Sequence, residues 1–412
     1  MSDIRHPERA PEGLKKIEWV REFMPVLNQI EQRFLAERPF EGLRIAISVH
    51  TEAKTAYLAM VLRSGGAEVF VTGCNPLSTK DEICAALVSL GFEVQAWHGC
   101  TAEEYEAHLV KTLSSKPHLI LDDGGDFTQL LHGKHPEYAE VLIAGFEETT
   151  TGIHRLRARA REGVLRFPMF LVNDAKSKTL FDNIHGTGQS TWDGLMYATN
   201  NMVTGKTVVV AGYGHCGRGI ATRAVGLGAS VIVTEIDPHA ALSAAMDGHR
   251  VMPMAEAAPL GDIFITATGC KDVLTGPHFA GMKPNVILAN AGHFDVEISK
   301  PDLRAMAVQI EERKPFIQGY TLPDGRVLNL MADGRLVNIV AGNGHPAEIM
   351  DLSFGIQALT MEYAVKNRDR LTPGLYEVPA EIDNQVALLK LEAMGLGLEA
   401  LTEAQRDYMR LY

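Results

Sequence analysis

The apolar run Thr207-Val208-Val209-Val210-Ala211 leads into Gly212-Tyr213-Gly214-His215-Cys216-Gly217. A helix-like segment follows, and a second apolar run, Ser230 to Thr234, closes on Glu235. A strand, a Gly-rich turn, a helix and a strand ending in an acid constrain the fold to a βαβ unit with the spacing of a dinucleotide site. Gly212 permits the tight turn, Gly214 lets the backbone approach a pyrophosphate, and Gly217 lets the helix pack close to the strand. The helix N-terminus offers its free N–H groups to the phosphates. Glu235 can accept from a ribose diol and repels a 2′-phosphate, which favours NAD over NADP.

The rest of the chain alternates in the same way. Residues 14 to 36 read as one amphipathic helix, with Ile17, Val20, Met24, Leu27, Ile30 and Phe34 on one face. Short β-rich runs then recur between helical segments, at Leu43–Val49, Ala67–Thr72, Glu93–Trp97, Leu119–Leu121, Val141–Ala144 and Phe167–Val172. A second set starts at Thr207 and continues through Asp262–Thr266 and Asn285–Ala289. This pattern predicts an α/β protein of two doubly wound parallel-sheet domains joined near residues 183 to 200. We expect a substrate domain over 1–185, completed by about 346–377, and a Rossmann domain over 186–345. Residues 378–412 should form a helical tail suited to subunit contact.

A net charge of -12, with no block of Lys or Arg, argues against nucleic acid or an anionic membrane as partner. No apolar run approaches the roughly 20 residues of a membrane span, and the first residues lack the apolar stretch of a secretory signal. A cytoplasmic protein is expected. Cys74, Cys84, Cys100, Cys216 and Cys270 are scattered and without CxxC spacing. They read as reduced thiols, with neither a disulfide framework nor a metal site.

Ligands of open α/β sheets bind beyond the carboxyl ends of the strands, and those ends are where polar residues collect. His50 follows the first run, Asp122-Asp123-Gly124-Gly125-Asp126 the fourth, and Glu147-Glu148-Thr149-Thr150-Thr151 the fifth. Asn173-Asp174 follows the sixth, with Lys178, Asp182 and Asn183 close behind. In the second domain, Asn290-Ala291-Gly292-His293 follows one run, and Leu336-Val337 leads through Asn338 to His345. Each cluster alone could be turn or cap chemistry. Together they suit acid–base work on a polar, uncharged substrate.

These residues resemble the S-adenosyl-L-homocysteine hydrolase family. The resemblance rests on Leu121-Asp122-Asp123-Gly124-Gly125-Asp126, Glu147-Glu148-Thr149-Thr150-Thr151-Gly152, Asn173-Asp174 with Lys178 and Phe181-Asp182-Asn183, Thr234-Glu235-Ile236-Asp237-Pro238, Gly292-His293-Phe294-Asp295-Val296-Glu297 and Gly344-His345-Pro346. It spans about residues 15 to 365 and implies a tightly bound NAD used without net consumption, in a homotetramer acting on a small nucleoside thioether. By that resemblance, the ribose 3′-hydroxyl is oxidised with Lys178 as base, positioned by Asp182 and Asn183. Asp123 then removes the C4′ proton, homocysteine leaves from C5′ with His50 and His293 as acid–base groups, and water adds. Glu148 would hold the 2′- and 3′-hydroxyls, and His345 and Asn338 would lie near the hinge and nicotinamide. Thr149, Thr150, Thr151, Ala291, Gly292 and His293 would touch the cofactor.

The resemblance also has departures. Lys54 stands where a carboxylate usually accepts from the adenine amine, in the stretch His50-Thr51-Glu52-Ala53-Lys54-Thr55. A charged lysine only donates, so it suits a 6-keto oxygen, and S-inosyl-L-homocysteine becomes the alternative substrate. The other reading pairs Lys54 with Glu52 or Asp126. Asn343 replaces an apolar Met near the base. Both changes resemble the short archaeal-type branch. The sequence stops at Tyr412, without the longer tail that lends a Lys and a Tyr to a neighbour's NAD, and Ala240 replaces a frequent Asn, so weaker NAD retention is expected. More remote alternatives are a net NAD-dependent dehydrogenase and a catalytically silent homologue.

Overall fold

Among the described residues, 1–410 of a computed structural model, fifteen strands assemble into two sheets. Positions 411 and 412 of the expected tail lie outside the described residues. The first strands are β1 (Arg44–Ser48), β2 (Glu68–Thr72), β3 (Glu93–Gln95), β4 (Leu119–Asp122), β5 (Ala144–Glu147) and β6 (Pro168–Phe170). There follow β7 (Thr207–Ala211), β8 (Ser230–Thr234), β9 (Arg250–Val251), β10 (Ile263–Thr266), β11 (Ile287–Asn290), β12 (Gln309–Lys314), β13 (Ile317–Thr321), β14 (Val327–Met331) and β15 (Gly374–Tyr376).

The first sheet has the order β15-β6-β5-β4-β1-β2-β3, and every pairing is parallel. Successive side chains of a strand face opposite ways, and both faces here are covered. Ile45 and Ile47 pack into one core with Leu27, Phe34, Leu58 and Phe354, whereas Ala46 enters another with Leu109, Phe127 and Ile153. Phe354 belongs to the helix Ala347–Lys366, so a segment that follows the second sheet returns to complete the first core. Its full burial contributes about 2 kcal/mol, and Phe354→Ala would leave a cavity between the helix and the sheet.

The second sheet has the order β12-β13-β14-β11-β10-β7-β8-β9. From β14 to β9 the pairings are parallel, and helix Thr187–Thr199 covers one face through Trp192 and Leu195. β13 runs antiparallel to both neighbours, an edge the sequence pattern did not signal.

Two local expectations are corrected and a third, the helical tail, is refined. The helix over residues 14 to 36 is two helices, Ala10–Glu22 and Pro25–Glu37. Pro25 disfavours helical geometry in the residue before it, and Met24 adopts φ -121 and ψ 62. The strand expected at Val141–Ala144 begins only at Ala144, because Pro136–Ala139 forms a 3-10 turn. Glu147 therefore ends the strand and is fully buried. The tail is two helices, Ala380–Ala393 and Glu403–Arg410, with Ile382 and Val386 buried in the first and nothing buried in the second.

Candidate active site

The carboxyl ends of both sheets open into one cavity of about 1140 Å³. From the first domain it is lined by His50, Glu52, Lys54, Asp123, Glu148, Thr149, Thr150, Thr151, Lys178, Asp182 and Asn183. From the second it is lined by Gly212, Gly214, Glu235, Ala291, Gly292, His293, Asn338 and His345. Three expected residues are not among the lining. Gly217 sits behind the turn. Asp126 accepts from Tyr105 Oη at 2.9 Å and pairs with Arg155 at 3.3 Å. Asn343 has an exposed side chain, and only its carbonyl is engaged, accepting from Lys54 Nζ at 2.9 Å. Asp126 and Asn343 thus lie outside the cavity lining, each engaged with neighbouring protein groups.

Lys178 is the centre of the polar network. Its Nζ donates to Asn173 Oδ1 at 3.1 Å and Asn183 Oδ1 at 2.8 Å. It also lies 3.2 Å from Asp182 Oδ1 and 3.8 Å from Glu148 Oε1. Burial disfavours its charge, but Asp182 and Glu148 outweigh burial and raise its pKa. Burial likewise opposes ionisation of Asp182, yet Lys178 and His345 hold its pKa low. Asp182 also accepts from Ser353 Oγ at 2.8 Å, and His345 Nδ1 lies 3.2 Å away. Asp182 and Asn183 sit in a π-helical turn, Asp182–Gly186, that carries the chain from one domain to the next.

Glu148 is pushed up to about 7, chiefly by burial, with Lys178 opposing and Asp182 adding to the rise. Gln357 Nε2 donates to its Oε2 at 2.6 Å. Glu147 instead ties two loops together, its Oε1 accepting from Gly124 N, Thr149 N and Thr149 Oγ1, all at 2.9 Å. Gln357 and Ser353, both on helix Ala347–Lys366, were not singled out from the sequence.

Asp123 lies between two imidazoles, with His50 Nε2 3.6 Å from Oδ2 and His293 Nδ1 3.9 Å from Oδ1. Burial raises the Asp123 carboxyl above its usual range. Burial, aided by the charges of His345 and Lys54, lowers His50 to about 3, and burial lowers His293 to about 4. Both rings are therefore neutral at pH 7 and begin as proton acceptors. His293 belongs to the second domain and Asp123 to the first, so this triad exists only where the domains meet. Gly124 (φ +102) allows the approach, because a Cβ there would lie 2.4 Å from His293 Nε2. Arg155 adds a latch, donating to Gly124 O at 2.8 Å while its guanidinium covers the Phe294 ring at 4.6 Å.

The second-domain half fits NAD. A Cβ on Gly217 would lie 1.9 Å from Gly212 O, whereas one on Gly214 would meet no protein atom within 4 Å. Gly217 thus serves helix–strand contact, and the space above Gly214 is open to a phosphate at the start of helix His215–Gly226. Glu235 follows β8 directly, accepting from Tyr213 N at 2.6 Å through Oε2 and from Ile236 N at 2.7 Å through Oε1. Asn338 is buried, donates to Ser190 Oγ at 3.1 Å and leaves Oδ1 without a partner. That orphaned acceptor lines the cavity and matches the amide donor of a nicotinamide.

Comparison with known proteins agrees with both halves. Residues 2–145 match the S-adenosyl-L-homocysteine hydrolase family, and residues 183–344 match its NAD-binding domain. The S-inosyl-L-homocysteine hydrolase of Methanopyrus kandleri is 56% identical over 408 residues, covering 99% of this chain and 96% of the relative. The adenosylhomocysteinase of Pyrococcus abyssi is 54% identical over 400 residues, covering 97% and 95%. That of Aquifex aeolicus is 50% identical over 409 residues, covering 99% and 98%. With its cavity assembled from a carboxylate-rich first domain and an NAD-fitted second one, the chain belongs to the S-adenosyl-L-homocysteine hydrolase family.

Proposed function

We propose that this chain catalyses the NAD-dependent, reversible hydrolysis of S-adenosyl-L-homocysteine to adenosine and L-homocysteine. The observation that carries the reading is the meeting, in one cavity, of Lys178, Glu148 and Asp123 with the open Gly214 cradle and Asn338. We assign residues 1–185, completed by 346–377, to the substrate and 186–345 to NAD. When bound, NAD supplies a hydride acceptor for the ribose C3′ and a positive charge that favours neutral Lys178 by repulsion.

Glu148, steadied by Gln357, orients the ribose hydroxyls. Lys178 takes the 3′-hydroxyl proton, with Asn183 and Asp182 fixing its Nζ. The resulting ketone acidifies the C4′ hydrogen, and Asp123, made more basic by burial, removes it. His50 and His293 flank Asp123 as neutral bases, suited to take up a proton and deliver it to the departing thiolate, and later to activate water.

A second reading places hypoxanthine where adenine would sit. Lys54 bears on both readings: its Nζ pairs with Glu52 Oε2 at 2.8 Å and donates to Asn343 O, leaving one N–H for a ligand. The pair presents a donor beside an acceptor, which complements O6 and N1–H of hypoxanthine, or N1 and N6–H of adenine. Side-by-side kcat/KM for the S-adenosyl and S-inosyl thioethers decides between them. Cleavage of neither, with NADH accumulating, would overturn both. A cytoplasmic homotetramer is the assembly we infer from the family resemblance, and Leu398, Leu401 and Met409, exposed along the tail, are apolar positions that a subunit contact would cover.

A further inference from the structure

We infer that His50 Nε2, Cys74 Sγ and Asp123 Oδ2 form a site for one soft divalent cation of the zinc class, and that filling it stops turnover. The three ligand atoms come from the carboxyl ends of β1, β2 and β4, which are adjacent in the sheet order β4-β1-β2. They lie within 4.8 Å of one another, with Sγ 3.2 Å and Nε2 3.6 Å from the carboxylate oxygen. Tetrahedral zinc with bonds of about 2.0–2.1 Å to N and O and about 2.3 Å to S sets its ligands roughly 3.4–3.6 Å apart. Two of the three spacings are therefore already close to those values, and the third, between Sγ and Nε2, is within 4.8 Å.

The hydrogen bonding already orients these atoms. Ser78 Oγ donates to Asn75 O at 3.0 Å, so its single proton is spent. His50 Nδ1, 2.6 Å from that oxygen, must then carry the ring proton. The Nε2 lone pair is left facing a carboxylate oxygen, and two acceptors face each other where a cation fits. A partner on the far nitrogen of a metal-binding histidine is also what fixes its tautomer. Asp123 is 3% exposed; its Oδ2 accepts from the Cys74 thiol at 3.2 Å, a proton that a metal would replace, and its Oδ1 has no hydrogen-bond partner. His50 and Asp123 line the cavity, which gives the ion an entry path and an open fourth position for water. Thiolate, imidazole and carboxylate suit zinc better than magnesium or calcium.

On coordination the thiol proton of Cys74 leaves to solvent, and the Asp123 lone pair is committed to the metal. The carboxylate can then no longer accept the C4′ proton. The site stands on geometry alone and does not depend on which thioether is cut.

The test titrates Co²⁺ and Zn²⁺ into NAD-loaded enzyme, following heat and the thiolate-to-cobalt charge-transfer band. One equivalent per chain should bind with that band, turnover should fall at least tenfold, and a chelator should restore it. Cys74→Ser should lose the band and weaken binding at least tenfold, while Cys100→Ser should change neither. Asp123→Asn provides a second variant if Cys74→Ser does not fold. No saturable equivalent, a band that survives in Cys74→Ser, or full turnover with the metal bound overturns the proposal. Because binding is read without turnover, its failure is distinguishable from failure of the proposed reaction.

Discussion

Glu148→Gln should change the pH dependence of stability in a direction set by burial. Glu148 ionises at about 7 in the folded chain, against an ordinary value of 4.5. Between those values the folded state holds a proton that the unfolded state has released. Stability therefore falls as pH rises through that window, by about 1.4 kcal/mol per unit and about 3 kcal/mol in all. Glutamine keeps the shape and can accept from Gln357 Nε2, but it cannot ionise. Denaturant midpoints of ligand-free enzyme and variant, measured at pH 4 and pH 8, isolate this contribution by difference. The variant should gain about 3 kcal/mol relative to the parent on going from the lower to the higher pH. The same change removes charged hydrogen bonds to the ribose hydroxyls, at about 1.5–3 kcal/mol each, so kcat/KM should fall roughly tenfold to a hundredfold or more. A difference profile flat from pH 4 to 8 would refute the buried, proton-holding carboxylate.

Two glycines of the dinucleotide turn should respond oppositely. Gly214→Val should leave the melting temperature of NAD-free protein nearly unchanged and weaken NAD at least a hundredfold in a fluorescence titration. Gly217→Ala, forced to within 1.9 Å of Gly212 O, should lower that melting temperature. Lys54→Met removes a buried cation from Glu52 and Asn343 O, and an unpaired buried group costs about 1–3 kcal/mol. It should shift the ratio of kcat/KM between the two purine thioethers roughly tenfold to a hundredfold, and an unchanged ratio means that Lys54 does not read the base.

The βαβ unit, the parallel first sheet and the parallel part of the second were legible because buried strands are written as continuous apolar runs. The β12–β13 edge was not, since every residue of β12, Gln309 to Lys314, is exposed and the run reads as polar surface. The site was legible where its residues follow strands, as with His50, Asp123, Glu148 and His293. Asp126 shares a motif with Asp123, but the left-handed pair Gly124-Gly125 turns the chain between them, and Asp126 starts a helix facing Tyr105 and Arg155. Ser353 and Gln357 lie inside a helix whose other residues are largely apolar, where a local motif cannot mark them. Their signal is the polar exception itself, since a buried hydroxyl or amide must have a partner. The neighbourhood of Cys74, a thiol without CxxC spacing, is not legible in the sequence because His50 and Asp123 are brought to it by the sheet and not by spacing.

In the proposed cycle NAD is reduced and reoxidised at every turnover. Stopped-flow absorbance of NAD-loaded enzyme mixed with the preferred thioether tests it, with free thiol counted in parallel. The expected result is a transient of reduced nicotinamide no larger than one per chain that decays as substrate is consumed, with one thiol released per substrate and no NADH left. Reduced nicotinamide rising in proportion to turnover, or thiol released by Lys178→Met as fast as by the parent enzyme, would contradict it.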